Sequence, residues 1–215
     1  MKIFTRAGVD FAILGNEETC CGNEIRRMGE EGLFEMLKEH NLGSFTRYGV
    51  RQIVTTSPHC YHAIKNEYQD SNLEVRHYTQ LLAELIEKEK LTFSKEVKKR
   101  VAYQDPCFLG KQNLVFDEPR FVLQSIPGVT LVEFERSRER SLCCEGGGGR
   151  QWVDVSDSQE RLADIRIEEA LELGVEVLAT ACPFCLLNLE DAVKTLGVEE
   201  RLQVKDIAEL VLEAI

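Results

Sequence analysis

Five cysteines in the second half of this 215-residue chain come as a single residue, an adjacent pair and a C-x-x-C: Cys107, Cys143–Cys144, and Cys182 with Cys185. Three more, Cys20, Cys21 and Cys60, repeat part of that pattern nearer the start. The adjacent pair runs straight into a glycine-rich stretch, "SLCCEGGGGRQW" (141–152). A disulfide between neighbours is strained, and a packed core has little use for a glycine run. Thiols so placed are suited to metal ligation or redox exchange. A structural zinc takes four ligands, commonly from two C-x-x-C pairs, whereas the second half offers one such pair and five thiols in all. A thioredoxin-like dithiol would use "TACPFC" (180–185) alone and leave Cys107, Cys143 and Cys144 without a role. A polynuclear iron–sulfur centre, whose usual ligands are cysteine thiolates, employs all five. The zinc-binding structural module and the C-x-x-C thiol–disulfide oxidoreductase stay open as alternatives.

The elements that must position these thiols alternate along the chain. "VDFAIL" (9–14), "QIVTT" (52–56), "RVAYQD" (100–105), "VTLVEF" (129–134) and "EVLATA" (176–181) read as short buried strands. Between them, residues 30–49 and 157–174 carry apolar side chains three and four apart, and each run ends at a glycine, as a core-facing helix does. Such alternation predicts an α/β fold with mostly parallel sheets. Cys107 and the C-x-x-C then lie just beyond strand ends, where open parallel sheets gather their ligands, so the five thiols can converge. The helix after Cys182 points its positive end at them and favours thiolates.

The halves also repeat each other in order. "AGVDFAILGNEETCCG" (7–22) parallels "PGVTLVEFERSRERSLCCEG" (127–146), "YGVRQIVTTSPHCYHAIKNEY" (48–68) parallels "LGVEVLATACPFCLLNLEDAV" (173–193), and "VRHYTQLLAELI" (75–86) parallels "VKDIAELVLEAI" (204–215). The expected organisation is two tandem pseudo-repeat units, residues 1–98 and 99–215. The second carries the complete cysteine set. The first is expected to be truncated at its N-terminal side, because the counterpart of Cys107 would precede Met1; either the sequence is a fragment or a partner supplies that edge.

Composition narrows the function. The formal net charge of −11 argues against a general binder of nucleic acid or anionic membrane. No apolar run is long enough for a membrane span and no export signal opens the chain, which points to the cytoplasm, where stable disulfides are rare. "GGGG" is not a phosphate loop, since no GK[ST] follows, and no GxGxxG suggests a flavin site. The segment "KEKLTFSKEVKKR" (88–100) reads as a solvated linker and helix face.

The combination "DPCFLG…CCEGGGGRQW…ATACPFC" resembles the cysteine-rich CCG domain of heterodisulfide reductase B/D-type subunits, a domain shared with iron–sulfur subunits of glycolate, lactate and glycerol-3-phosphate oxidising enzymes. The likeness extends over nearly the whole chain. It implies an oxidoreductase subunit in which Cys107, Cys143, Cys144, Cys182 and Cys185 hold a non-cubane [4Fe-4S] centre. It implies either disulfide reduction or electron transfer between an organic donor or flavoprotein and quinone. Partners would be subunits or domains carrying ferredoxin-type clusters or flavin, one of them able to associate the protein with a membrane complex. Glu145 stands where the family's first glycine usually does; a side chain there could crowd the centre or place a carboxylate near it, while Gly146 and Gly147 preserve the backbone approach. In the first unit Ser57 replaces the first C-x-x-C cysteine; Cys20, Cys21 and Cys60 could hold zinc with His59 or His62 as a fourth ligand, or the unit is metal-free. Arg26, Arg27, Arg150 and Trp152 are weaker candidates for an anionic-substrate or docking surface, against ordinary packing and solvation.

Overall fold

A computed structural model describes residues 1–69, 72–152 and 161–215. Its first half contains α1 (Lys2–Arg6), α2 (Asn23–Arg27), α3 (Glu31–Arg47), β1 (Gln52–Thr55), α4 (Pro58–His62), β2 (Glu74–His77) and α5 (Tyr78–Glu87). The second contains β3 (Lys99–Gln104), α6 (Asp117–Ser125), β4 (Val129–Val132), α7 (Leu162–Glu172), β5 (Val177–Thr180), α8 (Pro183–Thr195), β6 (Gln203–Asp206) and α9 (Ile207–Ala214). Helix α4 runs on into a π-helical turn over Ala63–Glu67.

All strand pairs are parallel. One sheet has the order β4-β3-β5-β6 and the other is the pair β1-β2. In the larger sheet the chain steps from β3 to β4 on one side and returns to β5 on the other. The crevice at the carboxyl ends of β3 and β5 is therefore the topological switch point, where such sheets bind ligands. Side chains alternate across this sheet as its pleat requires. Val101, Tyr103, Val177 and Ala179 join one core with α5, α6 and α9, and Ala102, Leu178 and Val204 join another with α7 and α8. The first core unites the halves: Tyr78, Leu82 and Leu85 pack with Val122, Leu123, Ile126, Leu210 and Val211.

The repeat is visible in the elements. Strands β1 and β2 pair Ile53 with Val75, as β5 and β6 pair Leu178 with Val204. Strand β2 ends at His77 and β6 at Asp206, and each of these residues closes a capping box on the helix that follows. The helix stops expected at Gly49 and Gly174 are present, both with positive φ.

Three readings need correction. Residues 9–14 form no strand; they are irregular, with Phe11 and Ile13 exposed. Their counterpart β4 is held by hydrogen bonds to β3, and among the described residues the first sheet has no equivalent of β3. An apolar run without a neighbouring backbone has no ladder to join. Conversely, β2 and β6 were not expected as strands, because "EVRH" and "QVKD" are short and charged, a composition suited to sheet edges. The anticipated linker also has no continuing helix face. Between Lys88 and the start of β3 at Lys99 it is irregular, buries Leu91 and Val97, and donates Ser94 and Lys95 N–H groups to Ala214 O of α9 at 2.8 and 3.0 Å. The helical run at 157–174 is observed as α7 from Leu162; residues 157–160 lie outside the described residues. Among the described residues, no helix is long and apolar enough to cross a membrane.

Candidate metal centre

The two strands flanking the switch point deliver thiols directly. Strand β3 ends at Gln104, the chain turns through buried Asp105, and Cys107 follows. Strand β5 ends at Thr180, Cys182 takes the N-cap position of α8, Pro183 begins the helix and Cys185 lies in its first turn. Proline costs nothing there, because the first-turn N–H has no partner within the helix. The Cys143–Cys144 pair arrives on the loop after β4, which is tied to the β3 end. Gln104 Nε2 donates to Leu142 O at 2.8 Å and Lys111 Nζ to Ser141 O at 2.7 Å. Asn188 of α8 donates to the carbonyl of Cys144.

These elements bring all five thiols into one chain of contacts. Cys107 meets Cys143, Cys143 meets Cys144, Cys144 Sγ lies 3.1 Å from Cys185 Sγ, and Cys185 meets Cys182. Cys144, Cys182 and Cys185 are buried, while Cys107 and Cys143 are half-buried. Access is therefore from the Cys107–Cys143 side. Backbone N–H groups support the sulfurs: Glu145 N donates to Cys143 Sγ at 3.3 Å and Gly146 N to Cys144 Sγ at 3.4 Å.

Two of the five thiols are shifted toward the thiolate. Burial pushes Cys182 up, but hydrogen bonding to Cys185 and to the His59 imidazole outweighs it and brings the thiol down to about 5. Cys107 first and Cys144 second draw Cys143 far below the ordinary thiol range, and the same contact raises Cys107. Cys144 is raised by Cys143, and Cys185 by Cys144 and Cys182.

The glycine run serves close packing as well as hydrogen bonding. A Cβ on Gly146 would lie 2.6 Å from Phe184 O at the start of α8, and one on Gly147 would lie 2.8 Å from Nε2 of His59. Glu145 adopts φ 62°, as Gly22 adopts 77° after the first cysteine pair, so both halves turn alike beyond their adjacent cysteines. The carboxylate of Glu145 is held by two partners: Oε2 accepts the N–H of Leu162 at the start of α7 at 2.7 Å, and Oε1 accepts from Arg150 at 2.9 Å. Glu145→Ala keeps the strained φ and loses the helix-end contact, so it should destabilise the protein by about 1 kcal/mol. Glu145→Gly also loses the contact but removes about 1–2 kcal/mol of left-handed strain, and should remain close to the unaltered protein in chemical denaturation.

In the first half, Cys20 neighbours Cys21 and Cys21 neighbours Cys60. Cys60 is lowered by Cys21, against burial, with Ser57 adding a further hydrogen bond. Neither histidine completes this trio. His62 is engaged by Asn66 and Asn113 at Nδ1 and faces Glu67 across Nε2. His59 turns away from the trio: its Nδ1 lies 2.5 Å from Glu24 Oε1 and 3.0 Å from Asn23 Nδ2, and its ring neighbours Cys182 of the other half. Burial lowers His59, but Cys182 and then Glu24 overcome this and raise it to about 9. Arg26 and Arg27 both pair with Glu67, and Trp152 is exposed with its edge on Phe184.

Three supports escaped the sequence reading. Asp105, Arg120 and Glu133 form an ion-pair network beneath Cys107. Glu24 and His59 reach from one half to the other, and Asn188 fixes the Cys144 carbonyl. Sequence position carried a signal for His59, next to Cys60, and for Asn188, three residues after Cys185.

Among the described residues, no three or more of the Cys, His, Asp and Glu side chains form a single-ion site. Five soft sulfur donors in continuous contact, with backbone N–H groups on two of them, instead fit a thiolate-bound iron–sulfur centre rather than a hard cation.

Comparison with known proteins agrees with this donor chemistry. A family model described as the CCG cysteine-rich domain matches residues 1–65 and 101–190. The probable iron-sulfur-binding oxidoreductase FadF of Bacillus subtilis is 41% identical over 216 residues, covering 100% of this chain and 30% of that protein. The EtfAB:quinone oxidoreductase of Syntrophomonas wolfei is 41% identical over 222 residues, covering 100% of the chain and 31% of its own length. One subunit of the dihydromethanophenazine:CoB--CoM heterodisulfide reductase of Methanosarcina barkeri is 36% identical over 222 residues, covering 100% and 54%. The chain thus spans between about a third and about half of the length of these relatives.

Proposed function

The chain belongs to the cysteine-rich CCG domain family, and on that premise we propose that it is the cluster-binding part of an iron–sulfur oxidoreductase, with residues 1–98 and 99–215 as its two units. The observation that carries this reading is the unbroken contact among Cys107, Cys143, Cys144, Cys185 and Cys182 at the switch point of the larger sheet. These five residues would hold a non-cubane [4Fe-4S] centre, as the family resemblance implies. When bound, such a centre supplies one-electron transfer at sulfur-ligated iron.

The protein's own groups prepare that site. Buried Cys144, Cys182 and Cys185 exclude water from its floor, and half-exposed Cys107 and Cys143 leave the approach open. The N–H groups of Glu145 and Gly146 and the end of α8 favour anionic sulfur. Electrons would come from a partner carrying flavin or ferredoxin-type clusters and pass to a disulfide or, through a membrane-associated complex, to quinone. Relatives named for heterodisulfide reduction and for quinone reduction support both classes. A cytoplasmic location suits this role.

The dithiol reading has one observation in its favour, the lowered Cys182. It lacks access: Cys182 is 1% exposed and neighbours Cys185 and His59. Zinc at Cys20, Cys21 and Cys60 would need a fourth ligand other than His59 or His62 as they stand, so we keep that trio as a weaker, separate candidate. Anaerobic purification followed by iron and acid-labile sulfide analysis with EPR decides the main reading. About four irons with matching sulfide are expected; zinc without sulfide, or no metal after anaerobic reconstitution, would replace it with the structural module.

A further inference from the structure

We propose that His59, contributed by the first half, is a positioning residue for the second half's centre: its imidazole donates a hydrogen bond to the sulfur of Cys182 while Glu24 fixes the ring from behind. The inference rests on the iron–sulfur reading and assigns the degenerate unit a part in the site of the complete one. In "SPHC" (57–60) His59 occupies the position that Phe184 holds in "CPFC" (182–185).

The ring is 4% exposed and touches each of the three ligand-bearing segments. It stacks on Phe108, next to Cys107, with centroids 4.2 Å apart and planes at 29°. It meets Phe184, between Cys182 and Cys185, edge-on at 4.8 Å. Gly147, beyond Cys144, packs against the ring so closely that even a methyl group would collide with it. From the first half, Glu24 Oε1 lies 2.5 Å from Nδ1, and Glu24 Oε2 accepts the N–H of Gly149 at 2.7 Å. One carboxylate therefore holds both the imidazole and the glycine run. Asn23 Nδ2 secures that carboxylate at 2.7 Å.

Cys182 as a thiolate ligand is an acceptor only, so the ring meets it through an N–H. Nδ1 is already occupied by Glu24 Oε1 and by Asn23 Nδ2 at 3.0 Å, which leaves Nε2 for the sulfur. A hydrogen bond to ligand sulfur stabilises the more electron-rich state of a cluster and raises its potential. A bond of this charged kind, worth about tenfold or more in equilibrium, should be readable as such.

The test is an EPR-monitored redox titration of anaerobically purified protein. His59→Phe, which copies Phe184, should retain iron and sulfide but lower the reduced-to-oxidised ratio at fixed potential by about tenfold, or about 59 mV for a one-electron couple. His59→Gln, which keeps one N–H, should recover part of the shift, and Glu24→Gln should move the potential in the same direction by less. An unchanged potential and spectrum in His59→Phe would overturn the proposal. If that variant does not fold, pulsed EPR on the unaltered sequence with ¹⁵N-histidine gives the answer. A weak coupling from one imidazole nitrogen, surviving His62→Gln, is expected; no coupling, or one as strong as a directly bound nitrogen, would refute the assignment. Absence of iron and sulfide from the unaltered protein would instead defeat the reading on which it rests.

Discussion

Cys182→Ser should strip most of the iron and sulfide from anaerobically purified protein, whereas Cys60→Ser should leave both close to the unaltered level. Serine is nearly isosteric, so packing around α8 survives and the loss reports ligation. Cys182 is the member of the set with the most to lose. It is buried at the switch point and neighbours Cys185, and its thiol is shifted toward the thiolate. Its loss should weaken cluster retention by more than the roughly 10–100-fold typical of outer-shell changes at metal sites. Cys60 belongs to the other set, beside Cys21, yet it senses the charge of Cys182 and is thus a stringent control. Equal losses in the two variants would mean that the halves share one centre. Retention of iron and sulfide in Cys182→Ser would remove Cys182 from the ligand set.

What could be read from the sequence divides along physical lines. The C-x-x-C on a strand-to-helix turn was legible because the β5 run, the proline and the helix after it are all local signals. The cysteine motifs carried the family likeness, and the repeat foreshadowed the matching β2–α5 and β6–α9 joints, although their strands were too short and charged to be recognised. "VDFAIL" misled because strand formation depends on a neighbour that sequence pattern does not supply. At Glu145 the backbone takes the left-handed turn of the family's glycine, and a helix start distant in sequence binds its carboxylate, a partner that no local pattern announces. His59 illustrates a third limit: proximity in sequence placed it with Cys60, and tertiary packing placed it on Cys182.

The ion-pair network under Cys107 is the same lesson on a larger energetic scale, and Arg120→Met is the expected consequence: a loss of about 3–5 kcal/mol in folding stability. All five guanidinium hydrogens of Arg120 have acceptors. Nη1 donates to Asp105 Oδ1 at 2.7 Å and Phe116 O at 2.8 Å, Nη2 to Asp105 Oδ2 at 2.8 Å and Glu133 Oε2 at 2.9 Å, and Nε to Glu133 Oε1 at 2.7 Å. Asp105 is 2% exposed and its Oδ2 also accepts the Arg138 N–H at 2.8 Å, so it anchors the β3 end to the loop that carries Cys143 and Cys144. Removing the guanidinium leaves this carboxylate buried without its counter-charge, which costs far more than the net value of the pair. The half-exposed Glu133 is a different partner: Glu133→Ala should cost only about 1 kcal/mol or less, since solvent screens it. Urea denaturation of metal-free protein measures both variants without the contribution of a bound centre. A double change, Arg120→Met with Asp105→Leu, removes charge from both sides and should recover a large part of the single-variant loss. If the double variant were instead as unstable as the sum of its singles, the pair would not be the source of the energy, and the anchoring of Cys107 would have to come from the backbone alone.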